Sequence, residues 1–125
     1  MNRSSRIFWL IGALLLLPQF ASAQKLAPGT WTGTVAPPGD AATPVTFDVK
    51  VGGDSTSITI KTPNGEVPFT QIKVLADRLT FVFTPGIAVN CTLMLRPDKS
   101  YAGECTDGNG GKGQMVMVPP AKPGN

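Results

Sequence analysis

Histidine is absent from this 125-residue sequence, and charged residues make up only 15% of it. Without imidazole the chain lacks the usual general base, the commonest metal ligand and any Ser-His or Cys-His nucleophile pair. Eight acidic residues remain. Asp98 and Glu104 could approach one another, but a catalytic acid/base pair needs a cleft, and the sequence implies none. We therefore expect no enzymatic activity, no catalytic residues, no metal site and no cofactor.

Runs of basic residues are also missing. The eleven Lys and Arg residues are dispersed singly, and two of them, Arg3 and Arg6, precede a predicted cleavage site. Removing those two leaves nine basic against eight acidic residues. This near-neutral balance has no electrostatic footprint for nucleic acid or for an anionic membrane surface, so we expect neither as a partner.

Only one long apolar run is present, Ile7–Leu17, and its eleven residues fall short of the ~20 that span a bilayer. Two arginines precede it within Met1–Arg6, and the small residues Ala21-Ser22-Ala23 follow at the spacing of a cleavage site. This pattern predicts a secretory signal peptide over 1–23, cleaved before Gln24. We expect an exported protein, periplasmic or secreted, with no membrane span after cleavage.

The remaining 102 residues, 24–125, have the length of one small domain. Two cysteines, Cys91 and Cys105, lie in it. The segments Val89–Leu95 and Ser100–Cys105 predict a hairpin about the turn Arg96–Lys99 that places these cysteines opposite each other, close enough for a disulfide. Cysteines in an exported chain favour that bond; a pair of buried free thiols is the alternative.

Short alternating segments separated by Gly, Pro, Asn and Asp indicate an all-β domain with no amphipathic helix. Pro63-Asn64-Gly65-Glu66 predicts a hairpin turn centred on Asn64-Gly65, because both of these residues tolerate positive φ. A change of parity at Thr70-Gln71 predicts a β-bulge. Residues 119–125 are expected to form a disordered tail. The predicted strands are Trp31–Val35, Val45–Val51, Ser57–Lys61, Val67–Val74, Arg78–Thr84, Val89–Leu95, Ser100–Cys105 and Gln114–Val118.

Every predicted connection is short, which favours a small eight-stranded antiparallel up-and-down barrel; a β-sandwich is the alternative. The last strand is apolar on both faces, Met115/Met117 and Val116/Val118, so its inward face stays unassigned. Many bulky inward side chains in strands of about six residues favour a filled interior. The predicted inward set is Trp31, Val45, Phe47, Val49, Ile58, Ile60, Phe69, Ile72, Leu79, Phe81, Phe83, Leu93, Leu95 and Tyr101.

The segment Gly29–Val35 carries a Trp-x-Gly motif that resembles the opening of a small extracytoplasmic bacterial β-domain with lipocalin-like character. The likeness continues through Val67-Pro68-Phe69, Asp77–Phe81 and Tyr101-Ala102-Gly103. The resemblance implies an exported up-and-down barrel of the kind found alone or ahead of secreted α/β-hydrolase domains. The two cysteines depart from it, since aromatic residues usually occupy their positions. It implies no catalytic or binding residue.

Two functions are compatible with these features. The first is a non-catalytic, monomeric module that binds an unknown protein or a component of the cell envelope. The second is a carrier of a small apolar ligand at the barrel mouth, near Trp31 and Tyr101. A carrier needs an apolar pocket with a few polar groups, whereas a module needs none, so a cavity would distinguish them.

Overall fold

The computed structural model describes residues Leu26–Ala121, which form one closed barrel of eight antiparallel strands. The up-and-down barrel prediction is confirmed, and the sandwich alternative is wrong. The predicted signal peptide and residues 122–125 of the predicted tail lie outside the described residues. No helix that could span a bilayer occurs between Leu26 and Ala121. The strands are β1 (Gly29–Ala36), β2 (Thr43–Gly52), β3 (Ser55–Thr62), β4 (Gly65–Val74), β5 (Arg78–Phe83), β6 (Val89–Leu95), β7 (Tyr101–Asp107) and β8 (Lys112–Val118).

Alternation along each strand fills the middle of the barrel. In β2, Val45, Phe47 and Val49 are buried, while the residues between them lie towards solvent. Phe69 and Phe81 stack at the centre with ring centroids 3.9 Å apart, a contact that adds to their large apolar burial. All of the predicted inward residues are buried except Ile72 and Leu95, which are partly buried against the same core.

The inward face of β8, which the sequence left open, is set by its neighbours. Met117 is paired with Gly33 of β1 and with Tyr101 of β7, and both methionines of the strand, Met115 and Met117, are buried. The valines of β8 therefore face outward, and Val118 is 41% exposed. Flexible methionine side chains suit the irregular space beside the glycines on these strands.

The predicted bulge in β4 is confirmed. Thr70 is paired with Val82, and the next pair is Lys73 with Thr80, so two residues of β4 oppose one of β5. Gln71, within that interval, has a φ of 51°. The extra residue restores the inward parity of the strand beyond it.

The turn between β3 and β4 differs from the Asn64-Gly65 prediction. Thr62 is paired with Gly65, so the turn residues are Pro63 and Asn64. The Thr62 hydroxyl caps this turn, accepting from the Asn64 N–H and donating to the Gly65 carbonyl, both at 3.1 Å. Gly65 alone of the predicted pair has positive φ, 134°. Proline explains the shift, because Pro63 has no N–H to offer a ladder and is better placed in the turn.

The barrel closes where β1 meets β8, and this seam requires glycine at position 33. A Cβ at Gly33 would overlap the backbone carbonyl of Val116 and come within 3.1 Å of the Phe47 ring. Gly103 is similar, since a Cβ there would overlap the carbonyl of Thr92. Glycine permits this close approach of neighbouring backbones and the sharp coiling of a small barrel.

We predict that Gly33→Ala lowers the free energy of unfolding by about 2 kcal/mol or more, because backbone atoms of β8 must move to admit the methyl group. Gly52→Ala is the matched control, since a Cβ at Gly52 meets nothing within 4 Å. Urea unfolding followed by fluorescence measures both. Equal stability of the two variants would contradict the seam constraint.

The hairpin β6–β7 carries the disulfide. Cys91 and Cys105 are direct partners with Cα atoms 4.0 Å apart, and their sulfurs are bonded. In the connecting turn, the Asp98 carboxylate accepts hydrogen bonds from the Ser100 hydroxyl at 2.6 Å and from the Ser100 N–H at 2.9 Å. These bonds lower the pKa of Asp98. The predicted disulfide is confirmed, and it is compatible with an oxidising, exported location.

We predict that the double variant Cys91→Ser/Cys105→Ser keeps the barrel but loses about 2–3 kcal/mol of stability, because the open chain gains loop entropy when unfolded. Denaturant unfolding with and without reductant measures this difference. Two free thiols in the unreduced, denatured wild-type protein would show that the bond is not formed.

Candidate functional site

The two ends of the barrel are built differently. The end that carries the β1–β2, β3–β4, β5–β6 and β7–β8 loops is called the open end here. The opposite end carries the three remaining turns and the chain that enters β1 and leaves β8; it is called the closed end. This division follows from the meander, because successive connections alternate between the two ends of an up-and-down barrel.

Both residues of the predicted ligand site, Trp31 and Tyr101, lie at the closed end. They are 2% and 4% exposed, with ring centroids 6.1 Å apart. The Trp31 indole N–H donates a 2.8 Å hydrogen bond to the Ala27 carbonyl. Leu26 is buried beside them, so the segment entering β1 covers this end. A cavity of about 200 Å³ remains, bordered also by Pro119. A ligand role for Trp31 and Tyr101 stays a prediction. The cavity beside them is the smaller of the two described for the barrel ends.

A larger cavity, about 730 Å³, occupies the open end. Its floor is formed by buried side chains of the core, among them Val45, Ile60, Phe83 and Met115. Such a volume lies within the ~300–1,000 Å³ range of small-molecule sites, which are mostly apolar with a few polar groups. The interior is therefore filled in the middle of the barrel, as the sequence predicts, but not at the open end. This open-end cavity, with its apolar floor, is also called the cup below.

Prolines border the cavity in three of the four open-end loops. Pro37 and Pro38 follow β1, Pro63 lies between β3 and β4, and Pro85 follows β5. A proline has a fixed φ and no backbone N–H, so these loops are stiff and offer few donors to the cavity. These loops therefore add few hydrogen-bond donors to the rim, and little conformational entropy need be lost when a ligand enters.

The fourth loop, after β7, is held by a carboxylate instead. Asp107 Oδ1 accepts hydrogen bonds from the N–H groups of Asn109 and Gly111, both at 2.8 Å. The backbone of Asp107 also pairs with the Gly111 carbonyl at 2.9 Å. Asp107 lies opposite Val89 on the inward parity of β7, and both residues line the cavity. It is half-buried, and it places one carboxylate in the cavity wall.

The polar lining is otherwise modest. Glu66 is the other charged residue that borders the cavity, joined by the neutral side chains of Asn64, Gln114 and two threonines. Between Leu26 and Ala121 no three Cys, Asp, Glu or His residues come together as a metal site would require. The arrangement can bury an apolar molecule and hydrogen-bond or pair with a polar group at its rim.

The sequence did not predict the open-end cavity, nor that the segment entering β1 covers the closed end. Leu26 is 4% exposed, although it lies in a segment that reads only as a lead-in. Prolines in the first, third and fifth connections were a partial signal for the open end, although Pro97 also lies in the sixth connection at the closed end. The alternation along a strand predicts which side chains face inward, but it does not predict at which end of the barrel the interior is left unfilled.

No family model matches the sequence, and no curated protein matches it. Among solved structures, a redesigned β-barrel superposes with a TM-score of 0.60 at 12% identity, covering 79% of this chain and 99% of that one. The two chains are similar in fold, and the likeness at this identity extends to the fold alone.

We predict that Tyr101 titrates above pH 10, since burial of the phenol raises its pKa from 10.0. The chain contains one tyrosine, so its phenolate absorbance reports this group. Because the native state then holds its proton longer than the unfolded state does, stability falls as pH rises from about 10 through the native pKa. A native titration midpoint no higher than that of the denatured protein would contradict the buried placement.

Proposed function

We propose that this protein is an exported, non-catalytic binding protein that carries a small, largely apolar molecule in its open-end cavity. The observation that carries the proposal is the cavity itself, about 730 Å³ with a floor of buried core side chains. A cup of this size exposes apolar surface to water, and covering that surface with a ligand is favourable by roughly 25 cal/mol for each Å² buried.

The walls and most loops of the cavity are ordered before any ligand binds, which further supports the carrier proposal. The strands beneath the cup are fixed by the barrel, the hairpin wall β6–β7 is cross-linked by a disulfide, and stiff proline-containing loops form most of the rim. Because these parts are ordered before binding, a ligand need not supply the free energy of assembling its own site.

The cellular setting belongs to the same proposal. We place the protein in the periplasm or outside the cell, as a monomer released from a signal peptide of residues 1–23. The resemblance of its Trp-x-Gly segment to lipocalin-like exported β-domains supports this setting, as does the disulfide between Cys91 and Cys105.

A second candidate is an interaction module that binds a protein or an envelope component through its outer surface. The observation in its favour is an apolar row across β6, β7 and β8, in which Met94, Ala102 and Val116 are neighbours on the outward face. Met94 is 44% exposed and Val118, further along β8, is 41% exposed. This row would suit a flat apolar partner, but it forms no concave site.

We predict that the neutral dye N-phenylnaphthylamine binds the chain 24–125 with a fluorescence gain, and that Val67→Trp weakens this binding at least about tenfold. Val67 faces inward opposite Ile60 and lines the cavity, so an indole there would occupy ligand space. Dye titration measures the affinity, and denaturant unfolding confirms that the variant is folded.

The matched control is Val118→Trp, the same substitution on the outer face. It should leave dye affinity unchanged. Absence of dye binding by the wild-type protein would overturn the carrier proposal. Binding that is lost with Val118→Trp but kept with Val67→Trp would transfer the site to the outer apolar row.

A further inference from the structure

We infer that the open-end cavity selects amphiphilic cations, molecules with an apolar body and an ammonium or similar positively charged head, over fatty-acid-like anions. This inference rests on the proposed function, because it names the class of ligand that the same cavity would take. The observations that carry it are the sign and the position of the charges around the cavity.

The charged residues that line the cavity are both acidic, Glu66 and Asp107, and no Lys or Arg lines it. They lie on β4 and β7, well apart around the barrel. An apolar wall with little water strengthens the field of such charges at the entrance. A carboxylate ligand would bring a third negative charge into this cup with no basic partner, whereas a cation would find a partner in place.

Asp107 is the better placed of the two. Its Oδ1 is held by two backbone N–H groups of its own loop, and no hydrogen bond to Oδ2 is formed within Leu26–Ala121. The salt bridges of the same described segment join Lys61 to Asp48 and Arg78 to Asp77, so Asp107 is not neutralised by an ion pair. The carboxylate is thus oriented by its own loop and keeps its negative charge in the lining of the cavity.

The nearby basic residues do not reverse this picture. Lys61 lies opposite Glu66 on neighbouring strands; its pKa is raised first by its hydrogen bond and ion pair with Asp48 and further by the charge of Glu66. The negative charge of Glu66 is therefore partly offset by the positive charge of Lys61 on the outer face of the barrel. Lys112 starts β8 at an exposed position, on the parity opposite to the buried Met115. The negative charge that faces the cavity accordingly centres on Asp107.

The depth of the cup sets the orientation of the ligand. Val45, Ile60, Phe83 and Met115 form an apolar floor, whereas Asp107 is the last residue of β7 and so belongs to the rim. The apolar body would enter first and the cationic head would stay near the entrance, where it keeps part of its hydration. Only a modest desolvation cost then opposes the ion pair.

Three ligands of equal chain length test the inference: decylammonium, decanol and decanoate, each used to displace N-phenylnaphthylamine below its micelle concentration. We expect decylammonium to displace the dye at least about tenfold more effectively than decanoate, with decanol between them. In Asp107→Asn this ratio should fall below about threefold; because the ratio compares ligands bound to the same variant, a general change in cavity affinity cancels from it. The amide oxygen of Asn can still accept the two loop hydrogen bonds.

Asp54→Asn is the matched control, because Asp54 lies in the β2–β3 turn at the closed end. It should keep the wild-type preference. Dye binding without any preference for the amine, or with a preference that persists in Asp107→Asn, would overturn this inference and leave the carrier proposal intact. Failure of the dye and of all three ligands to bind would instead overturn the carrier proposal.

Discussion

Closure of the barrel between β1 and β8 is the constraint on which the rest of the structure depends. An open eight-stranded meander would leave two edges of unpaired N–H and C=O groups, which invite association with other chains. Pairing the first strand with the last removes both edges, and it is possible here because Gly33 lets the Val116 carbonyl approach where a Cβ would stand. The Trp-x-Gly pair thus combines two requirements in three residues: Trp31 fills the barrel, and Gly33 lets it close.

Closure also explains why the two ends differ. The strands have six to ten residues, so the interior holds few layers of side chains. Stacked phenylalanines occupy the middle. At one end, Leu26 and the hydrogen bond from Trp31 to the Ala27 carbonyl cover the barrel and leave a cavity of about 200 Å³. At the other end the side chains of the described residues leave a cavity of about 730 Å³ above the buried core.

Much of this fold follows from local sequence rules, and the exceptions have physical reasons. The alternation of apolar residues predicted that Phe47 and Val49 face inward, and the hairpin predicted that Cys91 pairs with Cys105. The change of parity at Thr70-Gln71 predicted the bulge. The turn at Asn64 was misplaced by one residue because a proline next to it competes for the turn position. The inward face of β8 could not be read from β8 itself, since both of its faces are apolar and its neighbours decide.

The candidate site was harder to predict because it depends on the ends of strands rather than on their pattern. The sequence suggested Trp31 and Tyr101 as barrel-mouth residues, and both lie beneath the segment that covers the closed end. The cavity instead depends on where side chains are too few to fill the barrel, which is a property of all eight strands together. Asp107 shows the same point, since its position in the cavity wall requires the register of β6 and β7 as well as its own loop.

Asp107 also connects the architecture of the rim to its chemistry. Three open-end loops are stiffened by proline, but the loop after β7 is rich in glycine and is ordered by the Asp107 carboxylate. A residue chosen only to order that loop could be asparagine, which accepts the same hydrogen bonds without adding charge. Aspartate does the same task and also sets the sign of the potential in an apolar cup. The hydrogen bonds that order the loop use Oδ1, so the loop can stay ordered whether or not a ligand is bound.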